Sequence, residues 1–210
     1  WSQGLKSPEL KAEIRYRALG QGPATVRLTA TPANFSGRRY QADFPVTLES
    51  GAHSVQLTLP MPKAKLWWPV GTGKPHLYTI RVALRDENGL MDTAVTRTGL
   101  RKIVEQPDNK GWLINDKRLF IKGSNYIGSP WLSTMTREKY RRDLRLVEAM
   151  NANAIRVHGH VAGRALYDVA DEMGMMIWQD VPLQWGYNNS AAFTENAVRQ
   201  TREMIEQFGN

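Results

Sequence analysis

Cysteine is absent from the 210 residues, which excludes disulfides and thiolate metal sites without naming a compartment, since exported proteins also do without it. No apolar run approaches the roughly 20 residues that a membrane-spanning helix needs, so no membrane partner is expected. Concentrated charge of one sign is missing too. The net charge is +8, but the basic residues are scattered apart from short clusters such as Arg38-Arg39 and Arg141-Arg142. A nucleic-acid footprint gathers cations on one element with aromatics between them, so no nucleic-acid partner is expected either. There is no initiating methionine. Trp1 stands first, and the expectation is a chain that begins inside a longer product or after processing, with any leader upstream.

Hydrophobic patterning divides what is present into halves of different period. Ile14, Tyr16 and Ala18 alternate with charged residues, as do Val26, Leu28 and Ala30, then Val55, Leu57 and Leu59, then Tyr78, Ile80, Val82 and Leu84. Each run is short and one-sided, which is the mark of half-buried strands. Turn chemistry separates them, most clearly Asp86-Glu87-Asn88-Gly89, a good hairpin connection. Residues 1–102 are therefore expected to form a small antiparallel sandwich of immunoglobulin-like type.

Residues 103–210 read differently. Asn115-Asp116 suits a hairpin turn, and Leu119 to Gly123 reads as a short apolar strand. Thr136 then caps a helix with Tyr140, Leu144 and Val147 on one stripe. A strand over 154–157, a helix stopped by Gly174, a strand over 175–179 and a third helix with Val198, Ile205 and Phe208 inward complete the series. Strands without alternation, each followed by an amphipathic helix, imply a parallel sheet. No phosphate-binding glycine loop follows the first of them, where Lys122-Gly123-Ser124-Asn125 stands. The balance favours a (β/α)8 barrel represented by about three units over an open doubly wound sheet, and no cofactor is expected.

Three segments, taken together, resemble glycoside hydrolase family 2, its β-mannosidase-like members most closely. They are LWWPVGTGKPHLYTI at 66–80, GLRKI at 99–103 leading into WLINDKRLFIKGSNY at 112–126, and NAIRVHGHVAGRALYDVADEMGMMIWQD at 153–180. The resemblance implies retaining, exo-acting hydrolysis of a terminal β-glycoside of the β-mannosidase or β-galactosidase type, with carbohydrate as the partner. That chemistry needs two carboxyl groups about 5–5.5 Å apart. In the family both are glutamates, on the fourth and seventh barrel strands, whereas this chain is expected to reach only the third. It should therefore be inert alone, with no catalytic residue of its own. Glu195, in Glu195-Asn196, reads as first-turn helix charge rather than as a catalyst.

The working residues of such a barrel lie at the carboxyl ends of its strands. Arg156 matches the family's arginine after strand two and would orient a carboxylate, or else pair with a structural acid. Asp180, in Trp178-Gln179-Asp180, would accept sugar hydroxyls or partner Arg156. His158 stands where β-mannosidase-like sequences carry a tryptophan, and Asn125 and Trp185 are further pocket-wall candidates, with Trp131 as a possible sugar platform. Two other classes compete. One is a metal-dependent amidohydrolase-type barrel using His158 and His160, for which stoichiometric zinc would decide. The other is a non-catalytic carbohydrate-binding or spacer module, which would bind sugar through residues 1–100 alone. A barrel cut after three units would expose parallel edges and self-associate through them. The reading leans towards a periplasmic or secreted parent.

Overall fold

The computed structural model describes residues 8–107, 111–183 and 186–209. The chain divides into two compact units. One runs to Trp67 and from His76 to Arg118; the other comprises Trp68–Pro75 and everything from Leu119 onward.

The first unit is a β-sandwich. Strands β1 (Glu9–Ala18) and β4 (Gly51–Pro60) pair antiparallel as one sheet. Strands β2 (Gly22–Pro32), β3 (Tyr40–Leu48), β5 (Tyr78–Asp86) and β6 (Gly89–Thr98) form the other, in the order β3-β2-β5-β6. Alternation explains the packing. Leu10 and Leu59 from the small sheet share one buried cluster with Leu28, Ala30, Tyr40, Tyr78 and Ile80 from the large one. Burial pushes the Tyr78 phenol up to about 12, although its oxygen accepts a hydrogen bond from the Lys65 amide at 2.9 Å.

Two strands escape the sequence reading. β3 carries Pro45, which is compatible with its place at the sheet edge. β6 has no buried residue and leaves Leu90, Met91 and Val95 exposed, so burial imposes no alternation on it. The turn between β5 and β6 forms as expected, with the Asn88 amide donating to Asp86 Oδ1 at 2.8 Å. Three short strands follow: β7 (Ile103–Glu105), β8 (Trp112–Ile114) and β9 (Lys117–Leu119). β8 and β9 are joined by Asn115 and Asp116 at φ 51° and 64°, the double left-handed turn of a tight hairpin.

The second unit is a three-stranded parallel sheet in the order β10-β11-β12, built from β10 (Gly123–Tyr126), β11 (Ala154–Val157) and β12 (Met176–Gln179). Helices α1 (Arg137–Ala149) and α2 (Arg164–Met173) connect these strands, and α3 (Ala191–Phe208) follows the last. Ile155 and Val157 pack with Tyr140 and Leu144 of α1 and Leu166, Val169 and Ala170 of α2. Thr136 caps α1, its hydroxyl accepting from the Lys139 amide at 3.4 Å. Gly174 ends α2 at φ 79°, where a Cβ would lie 2.9 Å from the Trp68 carbonyl oxygen. The expected helix cap and stop both form.

Three expectations are corrected. The first parallel strand is Gly123–Tyr126, not 119–123; Leu119 ends β9, and Phe120 is 79% exposed. Buried Asn153 sets that register, donating to the Phe120 carbonyl at 3.0 Å and accepting from the Lys122 amide at 2.9 Å. α3 begins at Ala191 behind Ser190, whose hydroxyl accepts from the Phe193 amide at 3.2 Å, so Glu195 lies beyond the first turn and serves no N-terminal role. Val198 and Ile205 are 45% and 62% exposed rather than inward. The helix buries no residue and packs through Phe208, which stacks on Tyr167 with ring centroids 4.1 Å apart.

Candidate functional site

Register builds the site. Across the parallel sheet Asn125 lies beside Arg156 and Arg156 beside Trp178. Side chains alternate along a strand, so this row faces away from Ile155 and Val157, which enter the helix-covered core. Arg156 and Trp178 are accordingly exposed. Residues two further on belong to the same side, which is where His158 and Asp180 come to stand.

These side chains form one network. Arg156 donates from Nε to Asp180 Oδ1 at 3.1 Å, and its Nη2 forms an ion pair with Oδ2 at 2.8 Å, so the guanidinium holds both oxygens. His158 Nδ1 lies 3.0 Å from Asp180 Oδ2, and Asn125 Oδ1 accepts from Arg156 Nη1 at 3.5 Å, a long bond. Four of the expected pocket residues thus meet, and the fifth, Trp185, lies outside the described residues. The Arg156 guanidinium holds the Asp180 carboxyl below its ordinary range; desolvation opposes this, and the His158 hydrogen bond reinforces it. Asp180 is therefore an ionised acceptor, unsuited to protonating a leaving group.

Two supporting residues of the Trp178-Gln179-Asp180 segment carry no role in the sequence reading. Gln179 donates from Nε2 to the carbonyls of His160 at 2.8 Å and Asp180 at 2.7 Å, while its Oε1 accepts from the Tyr167 hydroxyl at 2.6 Å. One amide thus ties helix α2 to both loops that carry the site. The other is Trp178, 58% exposed in the same row as Arg156. Its signal was available: it precedes Asp180 by two residues and so shares its side. Beneath the row, burial and then the hydrogen bond to Asp143 at 2.9 Å raise the Tyr126 phenol well above its usual range.

After Val157 the chain turns through Gly159 at φ 70°, and His160 Nδ1 lies 3.0 Å from the His158 carbonyl oxygen. Both imidazoles line a cavity of about 410 Å³ with Ile127, Ser129, Pro130, Leu132 and Leu183. Trp131, 73% exposed, stands on the same loop as Pro130. No group of three or more metal-ligating side chains is found among the described residues, and each histidine already commits Nδ1 within the chain. The arrangement can receive hydroxyl hydrogens on a fixed carboxylate and on imidazole nitrogens. Of the carboxylates in the described part of this unit, Asp180 alone immediately follows a parallel strand.

Comparison with known proteins adds the following. The model of the family described as "Glycosyl hydrolases family 2" matches residues 2–101. A "Beta-mannosidase B" of Aspergillus flavus is 33% identical over 134 residues, covering 60% of this chain and 16% of that protein. A "Beta-glucuronidase" of Bacteroides fragilis is 28% identical over 175 residues, covering 79% of this chain and 25% of that protein. Among solved structures, the β-D-mannosidase of Dictyoglomus thermophilum superposes with a TM-score of 0.86 at 27% identity, covering all of this chain and 27% of that one. The chain thus spans about a quarter or less of the length of these relatives.

Proposed function

The chain belongs to the glycosyl hydrolases of family 2, and on that premise we propose that it is part of a retaining, exo-acting β-glycosidase that removes terminal β-mannosyl units. In this reading the sandwich is the immunoglobulin-like domain, residues 1–102. The three parallel strands with their helices, within residues 103–210, open the (β/α)8 barrel that carries the chemistry. The observation that carries the proposal is the Arg156–Asp180 grip, joined by His158, at the carboxyl ends of adjacent parallel strands. That is where the active site of such a barrel is built.

The geometry supports the following roles in this reading. Asp180, ionised and held on both oxygens, accepts hydroxyl hydrogens from the sugar. Arg156 fixes its orientation, Asn125 steadies the guanidinium, and exposed Trp178 offers an apolar face in the same row. Retaining hydrolysis requires an acid and a nucleophile about 5–5.5 Å apart. Asp180 is a single carboxylate, and an ionised one, so we assign both reacting carboxyls to residues outside these 210. The chain by itself then turns over no glycoside.

The test is direct. The full-length hydrolase containing this chain should cleave p-nitrophenyl β-D-mannopyranoside, with the β-anomer as the first product seen by proton NMR. The 210-residue chain alone should release no nitrophenol. Failure of the full-length protein on every p-nitrophenyl β-glycoside would end this reading, and initial release of the α-anomer would end its retaining part.

A further inference from the structure

The loop after β11 carries a feature that the role of Asp180 does not use. His158 Nδ1 faces the Asp180 carboxylate at 3.0 Å, and His160 Nδ1 faces the His158 carbonyl at 3.0 Å. Each partner is an acceptor: one a carboxylate held ionised by Arg156, the other a peptide oxygen. Each Nδ1 must therefore carry the hydrogen, and each neutral ring is left with a lone pair on Nε2. The same argument fixes both tautomers from two different elements. Neither Nε2 has a partner among the described residues.

Both rings line one cavity of about 410 Å³, whose remaining wall is apolar at Ile127, Pro130, Leu132 and Leu183 and polar at Ser129. No charged side chain lines it among the described residues. A site with hydrogen-bond acceptors and an apolar wall suits a neutral ligand that presents hydroxyl hydrogens on one side and C–H groups on another. Gln179 holds the His160 carbonyl, and Gly159 supplies the left-handed turn that brings the second ring back beside the first.

We propose that His158 and His160 form a saccharide subsite through their two Nε2 acceptors, with His160 the specificity-determining residue and a neutral sugar unit as the ligand. This deepens the glycosidase reading and rests on it only for the biological source of the sugar. The His160 ring bonds the His158 carbonyl and neither Arg156 nor Asp180, so it selects without holding the carboxylate.

The test uses the 210-residue chain, titrated with methyl β-D-mannopyranoside while the imidazole nitrogens are followed by long-range proton–nitrogen NMR. Saturable shifts are expected at Nε2 of both His158 and His160, with the Nδ1–H tautomer already present before ligand is added. His160→Asn keeps a donor where Nδ1 stood and removes the Nε2 acceptor. It should weaken binding about tenfold, the order of one lost hydrogen bond, with an unchanged melting temperature. Absence of saturable Nε2 shifts, the opposite tautomer, or full affinity in His160→Asn would each overturn the proposal. If His160→Asn unfolds the chain, His160→Phe, which keeps a ring of similar shape and removes both nitrogens, is measured instead. Its binding should weaken about tenfold while the fold is kept, and unchanged binding would overturn the proposal. In the full-length hydrolase His160→Asn should raise KM and spare kcat. A protein that hydrolyses glycosides indifferently to His160 keeps its function and loses this subsite. One that hydrolyses nothing while the chain still binds sugar through His160 does the reverse.

Discussion

Arg156 and Asp180, separated by 24 residues in sequence, meet through a hydrogen bond at 3.1 Å and an ion-pair contact at 2.8 Å, with the carboxylate side chain only 16% exposed. The first prediction is a pH effect of stated sign. A carboxyl whose pKa is lowered by folding stabilises the fold above its unfolded value, and that contribution is lost as pH falls through the folded value. The Asp180 carboxyl should titrate below the ordinary value of about 4 by carbon NMR. Arg156→Lys, which cannot grip both oxygens in the same fork, should move it upward. An Asp180 midpoint unchanged by Arg156→Lys would refute the cause assigned here.

Gln179 should matter more for stability than its polarity suggests. Gln179→Leu removes the donor to the carbonyls of His160 and Asp180 and the acceptor for Tyr167. The expected loss is about 1–3 kcal/mol in urea denaturation. Tyr167→Phe, which removes one of these bonds and keeps the stacking on Phe208, should cost about 1 kcal/mol. Equal losses for the two variants would show that the links to the loops contribute nothing.

Glu172 of α2 receives Arg137 and Arg141, both from α1. Its side chain is 18% exposed, so two guanidinium groups converge on a carboxylate that water reaches poorly. Glu172→Ala should destabilise the protein by about 1–3 kcal/mol. The loss should persist in 1 M salt, because partly buried pairs are weakly screened. A deficit that vanishes in salt would mark the pair as a surface contact.

Asn115 combines backbone and side-chain demands. It is 1% exposed at φ 51°, donates to the Trp67 carbonyl at 2.9 Å and accepts from the Lys102 amide at 2.9 Å. Asn115→Ala should cost about 2–4 kcal/mol, combining lost bonds with a left-handed alanine. Asn115→Gly should recover about 1 kcal/mol of that, since only the backbone strain is relieved. Identical melting temperatures for the two variants would remove strain from the account.

β10 and β12 are the outer strands of the parallel sheet, and Trp178 and Ile127 are exposed on or beside them. Open edges and apolar faces pair with neighbours. The 210-residue chain is expected to form dimers or larger species in sedimentation velocity, with the fraction rising with concentration. A single monomeric boundary over a hundredfold concentration range would rule that out.

Much of this architecture is written in consecutive residues. Period-two alternation marks β1, β2, β4 and β5 because one face of each is buried. Thr136, Gly174 and Asn115-Asp116 announce a cap, a stop and a turn because their own conformational preferences suffice. The strand-end rule selects Asn125, Arg156, His158 and Asp180, and the pairing of Arg156 with Asp180 is among its expectations, whereas the bonds of His158 and Asn125 are not. β6 shows no alternation because none of its residues is buried, and the apolar run at 119–121 precedes β10 rather than forming it.

Local signals therefore sufficed for periodicity, caps and turns, since each depends on a residue and its near neighbours. Tertiary structure decided the rest. Asn153, with bonds to Phe120 and Lys122 from 33 and 31 residues away, sets where β10 begins. Parallel register then decides that Asp180 meets Arg156 rather than water, and the fold around Gly159 decides which histidine nitrogens remain free. Strands joined through helices bring together groups far apart in the chain, and hydrogen bonds depend on that placement to within tenths of an ångström.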